Sequence, residues 1–530
     1  MLRIHEIKLR TDEPSDRLVI KAERRLRLPK GSLIAVNIVK ESLDAREKPV
    51  IYRVFSLDII SELSDEQLLS AAKKAGVKAA VVSGNEKYQL PEMRRAPMQR
   101  PVVAGFGPCG MFAALVLAEY GLKPVVLERG ACMDERIAAA TEFWRSGSLN
   151  RNANVQFGEG GAGTFSDGKL TTGTKDAAQR FVLESFVDAG APADILYKQH
   201  PHIGTDVLRR VVVNIRKKIE SLGGEILFGT QLTEIDMQSG RVRGVRANDR
   251  YIRTDDVILA LGHSARDTME YLYSQGLSME QKPFSMGVRI EHLQTDVDNA
   301  QYAGDSRELG LTPAEYKLFT GAGGRGVYTF CMCPGGYVVA SASEDGLLVT
   351  NGMSNADRAG RNANSALLCD VRPEDFGSDH PLAGMYFQEK YERLAFELGG
   401  ADYKAPAQTV GSFLGTGNNL PGKVEPTYKP GVVFTDIKKC LPDFVSDSLK
   451  EALPQLGRKM KGFDAPDAVL TAVESRSSSP VRIIRSKRLL AERGGTEIKG
   501  LYPGGEGAGY AGGIMSAACD GIHLAEMIVR

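Results

Sequence analysis

The chain has 530 residues, 42% of them hydrophobic and 25% charged, which is typical of a globular protein built from two or three domains. Its formal net charge of +1 gives no general attraction to nucleic acid or to anionic membranes, and no apolar run reaches the roughly 18 residues that span a bilayer. The N-terminus shows no signal-peptide core and the seven cysteines are too scattered for a disulfide framework, so we expect a cytoplasmic protein.

Residues 1–98 are predicted to form a separate small domain with the element order β-α-β-β-α-β, which is that of a ferredoxin-like α+β fold. A linker rich in proline and arginine, residues 91–101, follows it. Strand-like alternation covers residues 2–9, 32–41, 50–57 and 77–82, and helical spacing covers residues 13–28 and 65–75.

This first domain holds more Lys and Arg than Asp and Glu, so a role in binding nucleic acid has to be weighed. RNA-recognition folds share its element order but stack bases on an aromatic-rich strand. Here only Tyr52 and Phe55 are available, and strand geometry places them on opposite faces. A docking module or a lid over the next domain is the favoured interpretation, and binding of RNA is the alternative.

Residues 101–130 (PVVAGFGPCGMFAALVLAEYGLKPVVLERG) predict a dinucleotide-binding unit. Gly105, Gly107 and Gly110 form a G-x-G-x-x-G turn between a short apolar strand and a helix. Such glycines permit the tight turn, the approach of backbone to a pyrophosphate, and close packing of helix on strand. The second strand ends at Glu128, where a carboxylate can accept hydrogen bonds from ribose hydroxyls.

The rest of the chain predicts a discontinuous nucleotide domain, residues 99–270 and 471–530, with a mixed α+β domain, residues 271–470, inserted into it. A glycine-dense stretch precedes helical patterns that end near residue 222. Five strands are predicted at 225–228, 231–236, 241–247, 250–253 and 256–261, and residues 501–529 predict a strand, a glycine loop and a helix.

Several of these segments together resemble the glutathione reductase-type FAD superfamily and, more closely, a bacterial family of FAD-dependent dehydrogenases. They are the dinucleotide unit with Glu128-Arg129-Gly130, FGEGGAGTFSDGKL (157–170), GTQLTEID (229–236), DDVILALG (255–262) and LYPGGEGAGYAGGIMSAACDG (501–521). The resemblance covers about 100–530, and ESLDAREK (41–48) is family-like as well. It implies a Rossmann-like α/β FAD domain with FAD as cofactor.

The resemblance also implies individual contacts. The backbone at Leu232 would meet the adenine, and Glu506 would bind the ribityl chain or the pyrophosphate, although most relatives have Asp there. Backbone amides of the glycine-dense stretch would approach the cofactor. The predicted FAD-binding residues are Gly105, Gly107, Pro108, Cys109, Gly110, Glu128, Arg129, Gly161, Ala162, Gly163, Thr164, Lys169, Leu170, Leu232, Ala260, Gly262, Gly505, Glu506, Gly513 and Ile514.

Disulfide reductases of this superfamily carry a second G-x-G-x-x-G and a redox-active dithiol near the first helix. The glycine-rich segment 321–326 has its apolar strand after it rather than before it, which predicts a turn. No C-x-x-C or C-x4-C motif lies near the first helix. We therefore expect one nucleotide domain plus a substrate domain, and not a pyridine nucleotide-disulfide oxidoreductase.

Catalytic side chains are not assigned by the sequence, because flavin itself carries the hydride. Residues 471–488 gather arginines and serines suited to a carboxylate or phosphate, but a solvated basic turn explains them equally well. Cys331 and Cys333 share one strand face, where packing is favoured over a redox role, and no metal site is predicted. The candidate substrate residues are Arg476, Ser478, Ser479, Arg482, Cys331 and Cys333.

The sequence thus predicts a FAD-dependent oxidoreductase that transfers a hydride between FAD and a small, anionic organic substrate. NAD(P)H would bind transiently as an electron donor or acceptor. A flavin monooxygenase using NAD(P)H, and a flavin-containing protein that binds RNA or modifies tRNA, are the alternatives. His263, which follows a strand and a glycine, is a candidate for proton transfer or a structural histidine.

Overall fold

The N-terminal domain has the predicted element order in the computed structural model, which describes residues 1–83 and 87–530. Its four strands form an antiparallel sheet in the order β2-β3-β1-β4, and apolar side chains such as Leu2, Ile4 and Leu57 pack beneath its two helices. The elements are β1 (Leu2–Arg10), α1 (Arg17–Leu26), β2 (Ala35–Asp44), β3 (Tyr52–Ile60), α2 (Asp65–Ala75) and β4 (Ala79–Val81).

This domain is joined to the rest of the molecule through backbone hydrogen bonds along β2. The Glu41 amide donates to the Tyr197 carbonyl and the Gln199 amide donates to the Glu41 carbonyl, both at 2.9 Å. The Lys48 ammonium donates to the Ala300 carbonyl at 2.7 Å. The domain therefore contacts both the nucleotide domain and the inserted domain.

The second region is an α/β domain around a five-stranded, all-parallel sheet in the order β25-β11-β5-β6-β7. Its central strands are short and wholly apolar, as expected for strands covered on both faces. The elements from residue 99 to 277 are β5 (Val102–Ala104), α3 (Pro108–Glu119), β6 (Val125–Leu127), α4 (Met133–Ser146), α5 (Ala178–Asp188), α6 (Thr205–Ser221), β7 (Glu225–Leu227), β8 (Leu232–Gln238), β9 (Arg241–Ala247), β10 (Arg250–Arg253), β11 (Val257–Leu259) and α7 (Arg266–Ser274), with short 3-10 helices at Ala162–Phe165 and Ala193–Leu196.

The inserted region is built on a seven-stranded sheet in the order β14-β15-β18-β13-β21-β19-β20. Its elements are β12 (Met279–Gln281), β13 (Phe284–Leu293), α8 (Gln294–Tyr302), β14 (Phe319–Ala322), β15 (Arg325–Cys333), β16 (Tyr337–Ala340), β17 (Thr350–Met353), β18 (Asn362–Val371), α9 (Ala383–Leu398), β19 (Ala405–Thr409), α10 (Val410–Leu414), β20 (Val432–Phe434) and α11 (Asp443–Lys459), with 3-10 helices at Pro373–Phe376 and Ile437–Cys440.

The chain then returns to the parallel sheet through β21 (Val469–Glu474), β22 (Val481–Ile483), β23 (Glu492–Arg493), β24 (Thr496–Glu497), β25 (Leu501–Pro503) and α12 (Ile514–Val529). β21 pairs with β13 and β19 inside the seven-stranded sheet. The predicted boundary at residue 471 therefore cuts this strand and has to move toward the C-terminal side of residue 474.

Residues 321–326 form the turn that the sequence predicts. β14 and β15 pair antiparallel as a hairpin, and Gly323 and Gly324 connect them with φ angles of 57° and 72°. Two consecutive positive φ values are those of a type I′ turn, which glycine adopts without steric cost. The segment therefore contributes no second nucleotide-binding turn.

A polar cluster holds Tyr88, just before the interdomain linker, and the loop before α5 against α12. The Tyr88 hydroxyl donates to Glu526, and the His523 ring lies 2.8 Å from an Asp176 oxygen and 3.6 Å from a Glu526 oxygen. The hydrogen bonds with Glu526 and Asp176 outweigh partial burial and raise the pKa of His523 to about 9. The imidazolium form is thus stabilised in the folded protein.

Replacement of His523 by glutamine is expected to destabilise the protein by about 1 kcal/mol at pH 6, a figure reduced for the partial exposure of this side chain. Because the folded pKa of about 9 exceeds the unfolded value of about 6.5, the stabilisation is complete below pH 6.5 and is lost as the pH rises through 9. Denaturant unfolding of both proteins from pH 6 to pH 10 measures this difference. A stability difference that does not change with pH would contradict the assignment.

Candidate functional site

The glycine turn between β5 and α3 forms one end of a large cavity. A Cβ atom on Gly105 (φ 105°) would lie 2.2 Å from the Ala260 carbonyl oxygen, and one on Gly110 would lie 1.9 Å from the Gly105 oxygen. At Gly107 it would meet only the Gly161 Cα, at 3.7 Å. Gly105 and Gly110 are therefore required by the fold itself, whereas Gly107 presents bare backbone to the cavity.

Glu128, at the end of β6, holds the loops around this turn. Its carboxylate accepts hydrogen bonds from the amides of Phe106 (2.9 Å), Gly130 (2.8 Å) and Gly158 (2.9 Å). A carboxylate can accept about four hydrogen bonds, so one further position remains for a ribose hydroxyl. The neighbouring Arg129 is paired with Asp267 at 2.7 Å.

The glycine-dense stretch 157–170 crosses directly over the turn. Gly161 has a φ of 65°, and a Cβ there would lie 2.8 Å from the Gly107 Cα, so the two segments approach as only glycines allow. Gly161, Ala162 and Gly163 line the cavity. The backbone amides of this stretch are thus placed where a dinucleotide would lie along the turn.

The third wall comes from the loop before α12, whose N-terminus points at the cavity. Glu506 contacts the His263 ring at 2.5 Å between Oε2 and Nδ1. The Glu506 Oε1 and His263 Nε2 atoms are buried without a hydrogen-bond partner. Unpaired buried polar atoms cost free energy, and both residues line the cavity, so a polar cofactor bound here would supply the missing partners.

Most of the predicted FAD-binding residues line this single cavity, whose volume is about 1230 Å³. Gly110 does not, because it serves the packing of α3 on β5. Thr164 and Leu170 are buried behind the wall, where Thr164 donates to the Glu159 carbonyl, so their prediction as contact residues is corrected. The lining members are Gly105, Gly107, Pro108, Cys109, Glu128, Arg129, Gly161, Ala162, Gly163, Lys169, Leu232, Ala260, Gly262, Gly505, Glu506, Gly513 and Ile514.

The far side of the cavity is polar, and much of it comes from residues outside the predicted set. Arg358 donates to Asp167 and contacts Glu315, both at 2.7 Å, and Lys169 lies 3.5 Å from the same Glu315. Burial of the neighbouring His202 and the positive charge of Arg358 lower the pKa of this histidine. Of these residues, Lys169 belongs to the predicted set, whereas Arg358, Glu315 and His202 do not.

The N-terminal domain also reaches the cavity, through Glu41, Ser42 and Leu43 of β2 and Arg53 of β3. The same strand β2 forms the backbone hydrogen bonds to residues 197–199 described above. The role of this domain as a lid or docking module stays a prediction.

Four predicted substrate residues do not line the cavity, namely Arg476, Ser478, Ser479 and Arg482. Arg476 donates hydrogen bonds to Glu392, Glu344, Ser264 and Ser343. All three nitrogen atoms of its guanidinium group therefore have partners within the protein. Ser479 donates to the Val481 carbonyl, Arg482 pairs with Glu280 at 3.1 Å, and Ser478 does not line the cavity.

Of the two remaining candidates, Cys331 lines the cavity, beside Phe330 and Met332, and Cys333 is fully buried next to it. The two residues end strand β15, in the inserted region and far along the chain from the glycine turn. The described residues contain no group of three or more His, Cys, Asp or Glu side chains arranged to hold a metal ion.

Comparisons with known proteins match three regions of the chain. Residues 283–477 match the family described as "FAD-dependent protein, C-terminal domain-like", residues 99–296 match "Pyridine nucleotide-disulphide oxidoreductase", and residues 1–59 match a "Domain of unknown function". A protein of Clostridium beijerinckii described as "Uncharacterized protein" is 45% identical over 539 residues, which cover 100% of this chain and 98% of that one. The chain belongs to a family of FAD-dependent proteins.

FAD is accordingly the cofactor of this flavoprotein, and the cavity described above fits it. The match to the pyridine nucleotide-disulphide oxidoreductases spans the glycine turn and strands β5 to β11 but ends before Cys331. Among the described residues one sheet is all parallel, and it belongs to this region. Membership of the glutathione reductase-type subclass stays a prediction.

Solved structures of other proteins align with the chain at low similarity. Glycine oxidase from Bacillus cereus is 11% identical with a TM-score of 0.30, over 81% of this chain and 94% of that one. A geranylgeranyl bacteriochlorophyll reductase-like protein from Thermoplasma acidophilum is 13% identical with a TM-score of 0.35, over 81% and 77% of the two chains. No helix among residues 1–83 and 87–530 is long and apolar enough to cross a membrane.

Proposed function

We propose that this FAD-dependent oxidoreductase transfers a hydride between FAD and a small, anionic organic substrate. The observation that supports it is a single cavity of about 1230 Å³ with two kinds of wall. One wall consists of glycine turns and the N-terminus of α12, which suit a dinucleotide, and the other of polar side chains around Lys169 and Arg358. Such a volume exceeds the roughly 300–1,000 Å³ of ordinary small-molecule pockets, which leaves space for a cofactor and a substrate together.

When bound, FAD supplies the hydride acceptor or donor, and the chain's own residues orient the substrate and manage its proton. The contact between His263 Nδ1 and Glu506 holds the ring, and Nε2 is buried without a partner in a residue that lines the cavity. With Nδ1–H donated to Glu506, Nε2 accepts the proton that a substrate hydroxyl or amine loses as its hydride leaves.

Lys169 is the cation best placed to bind the substrate anion. Arg358 is held by Asp167 and Glu315 at 2.7 Å each, whereas Lys169 has its Glu315 contact at 3.5 Å and shares that carboxylate with Arg358. Its side chain is 27% exposed and lines the cavity. An incoming carboxylate or phosphate would therefore find an incompletely neutralised ammonium group.

The test is anaerobic reduction of the FAD-loaded protein by a panel of small hydroxy acids, amino acids and sugar phosphates, with NADPH as a further donor. We expect bleaching of the flavin by a member of the anionic panel, and a KM at least 10-fold higher in Lys169→Gln. Lys175→Gln, which removes a nearby lysine outside the cavity, is the matched control and should leave KM unchanged.

Three outcomes would count against the proposal. Bleaching of the flavin by uncharged compounds alone would contradict the proposal that the substrate is anionic. NADPH oxidation that requires oxygen and yields a hydroxylated product would replace the dehydrogenase by a monooxygenase. Salt-sensitive RNA binding with flavin that no donor reduces would favour a role in RNA binding or modification.

A further inference from the structure

The end of strand β15 carries two thiols that the proposed hydride transfer does not use. β15 pairs with β18 at Phe330 and Ala366 and again at Cys333 and Asn364, so three steps along β15 match two along β18. This irregularity is a β-bulge, and Cys331 within it has a φ of 43°, a value that non-glycine residues rarely adopt. Bulges redirect side chains, and here Cys331 lines the cavity while Cys333 is buried behind it.

The surroundings of Cys331 favour a thiolate. The buried Arg289 donates to the Cys331 carbonyl at 2.9 Å, and its positive charge and that of Lys169 act on the sulfur. The neighbouring Cys333 thiol, Arg289 and Lys169 lower the pKa of Cys331 against burial and the charge of Asp167. Glu474, the other acid near this sulfur, is paired with Arg289 at 2.6 Å.

The surroundings of Cys333 favour the protonated thiol. The neighbouring Cys331 side chain and burial hold the pKa of Cys333 well above the usual value, so it stays a thiol. Its Sγ also lies 3.3 Å from the Cys331 carbonyl oxygen. The arrangement is thus an accessible thiolate backed by a protonated thiol, the pairing needed for attack and subsequent resolution.

The other cysteines do not share these features. Burial raises the pKa of the Cys109, Cys369, Cys440 and Cys519 thiols. Cys132, at the N-terminus of α4, is part-exposed like Cys331 but does not line the cavity. The chain therefore offers a matched control thiol of similar exposure.

We propose that Cys331 and Cys333 form a reactive dithiol that reduces small-molecule disulfides entering the cavity. The Cys331 thiolate attacks one sulfur of the disulfide, forms a mixed disulfide and releases the first thiolate. Cys333 then attacks the Cys331 sulfur, the second thiol leaves with the Cys333 proton, and a Cys331–Cys333 disulfide remains. The two cysteines lose two electrons, and the small disulfide gains them as it becomes two thiols.

This activity goes beyond the proposed hydride transfer, and it can be measured without any reduction of the flavin. The FAD-loaded protein is treated with 2,2′-dithiodipyridine, and the released thiopyridone and the protein mass are followed together. We expect a fast release of two equivalents, a mass lower by two hydrogens, and a cross-linked peptide that contains Cys331 and Cys333. The rate of this phase should rise with pH as the Cys331 thiolate forms, and it should do so at a lower pH than for an ordinary thiol.

Variants separate the two roles. Cys333→Ser should release one equivalent in the fast phase and retain a mixed disulfide on Cys331, whereas Cys331→Ser should lose the fast phase and Cys132→Ser should keep it. A fast phase that survives Cys331→Ser, or a stable adduct without the cross-link in the wild-type protein, would overturn the proposal. The peptide map of the wild-type protein tests for the Cys331–Cys333 cross-link even if a variant fails to fold. Flavin reduction is not needed for this measurement.

Discussion

Replacement of Gly107 by valine is expected to leave the fold intact and to lower the affinity for FAD at least about 100-fold, or roughly 3 kcal/mol. In the structure a Cβ at this position meets nothing closer than the Gly161 Cα at 3.7 Å. The φ of −76° and ψ of −176° are also ordinary for valine. The added methyl groups would instead occupy the space through which a pyrophosphate approaches the backbone.

Two other glycines provide the comparison. Gly110→Ala should fail to give folded protein, because its Cβ would lie 1.9 Å from the Gly105 carbonyl oxygen. Gly321→Ala, in the exposed hairpin away from the cavity, should bind FAD like the wild type because its Cβ meets nothing within 4 Å. Titration of apoprotein with FAD by flavin fluorescence, after circular dichroism has confirmed folding, measures the effect. Equal affinities of Gly107→Val and the wild type would place the pyrophosphate elsewhere.

Replacement of Glu392 by glutamine is expected to destabilise the protein by about 3–5 kcal/mol. Glu392 is fully buried on α9 and accepts hydrogen bonds from both Arg266 and Arg476 at 2.9–3.0 Å. These charges hold the pKa of its carboxyl group far below the usual range. Removing the carboxylate leaves two buried guanidinium groups, which share Glu344, and the more distant Glu389 contacts only Arg266.

The matched control is Glu389→Gln, on the same helix, which lies 3.8 Å from Arg266 and is part-exposed, and which should cost less than about 1 kcal/mol. Because the folded pKa of Glu392 is depressed, its stabilising effect is complete above the unfolded value of about 4.3 and is lost only as the pH falls below it. Thermal unfolding from pH 6 to pH 8 should therefore show a constant decrease of roughly 10 °C. A decrease no larger than that of Glu389→Gln would show that Glu392 does not organise the cluster.

The sequence sufficed for features that depend on local pattern. Alternation and helical spacing gave the β-α-β-β-α-β order of the N-terminal domain, and the three glycines with Glu128 gave the nucleotide turn. Each of these signals lies within about thirty residues of chain, where turn geometry and side-chain periodicity act directly. For the same reason the prediction of 321–326 as a turn was confirmed.

The partners of charged side chains could not be predicted, because they are distant in sequence. Arg476 was grouped with its serine neighbours as a substrate site, yet its carboxylate partner Glu392 lies 84 residues away. Arg358 and Asp167 are likewise brought together across 191 residues. Residue type shows that an arginine needs a partner, but only the tertiary structure shows whether the partner is a substrate or the protein itself.

Cys331 illustrates a second limit of prediction from the sequence. Strict alternation places it on one face of a strand with Cys333, which favours two packed thiols. The bulge at the end of β15 places Cys331 at the cavity. No residue type in that segment predicts the extra residue in the pairing of β15 with β18. Register irregularities depend on the partner strand and are therefore not visible in one strand's sequence.

The most direct test of the account is the flavin content of the purified full-length protein, determined from its absorption spectrum and from chromatography of the released cofactor. We expect one FAD per chain, either in the protein as isolated or after reconstitution. The Gly107→Val variant should show the absorption spectrum of free FAD after the same treatment. A wild-type protein that stays colourless after incubation with FAD, or that binds it equally with valine at position 107, would contradict the central claim that this cavity is the FAD site.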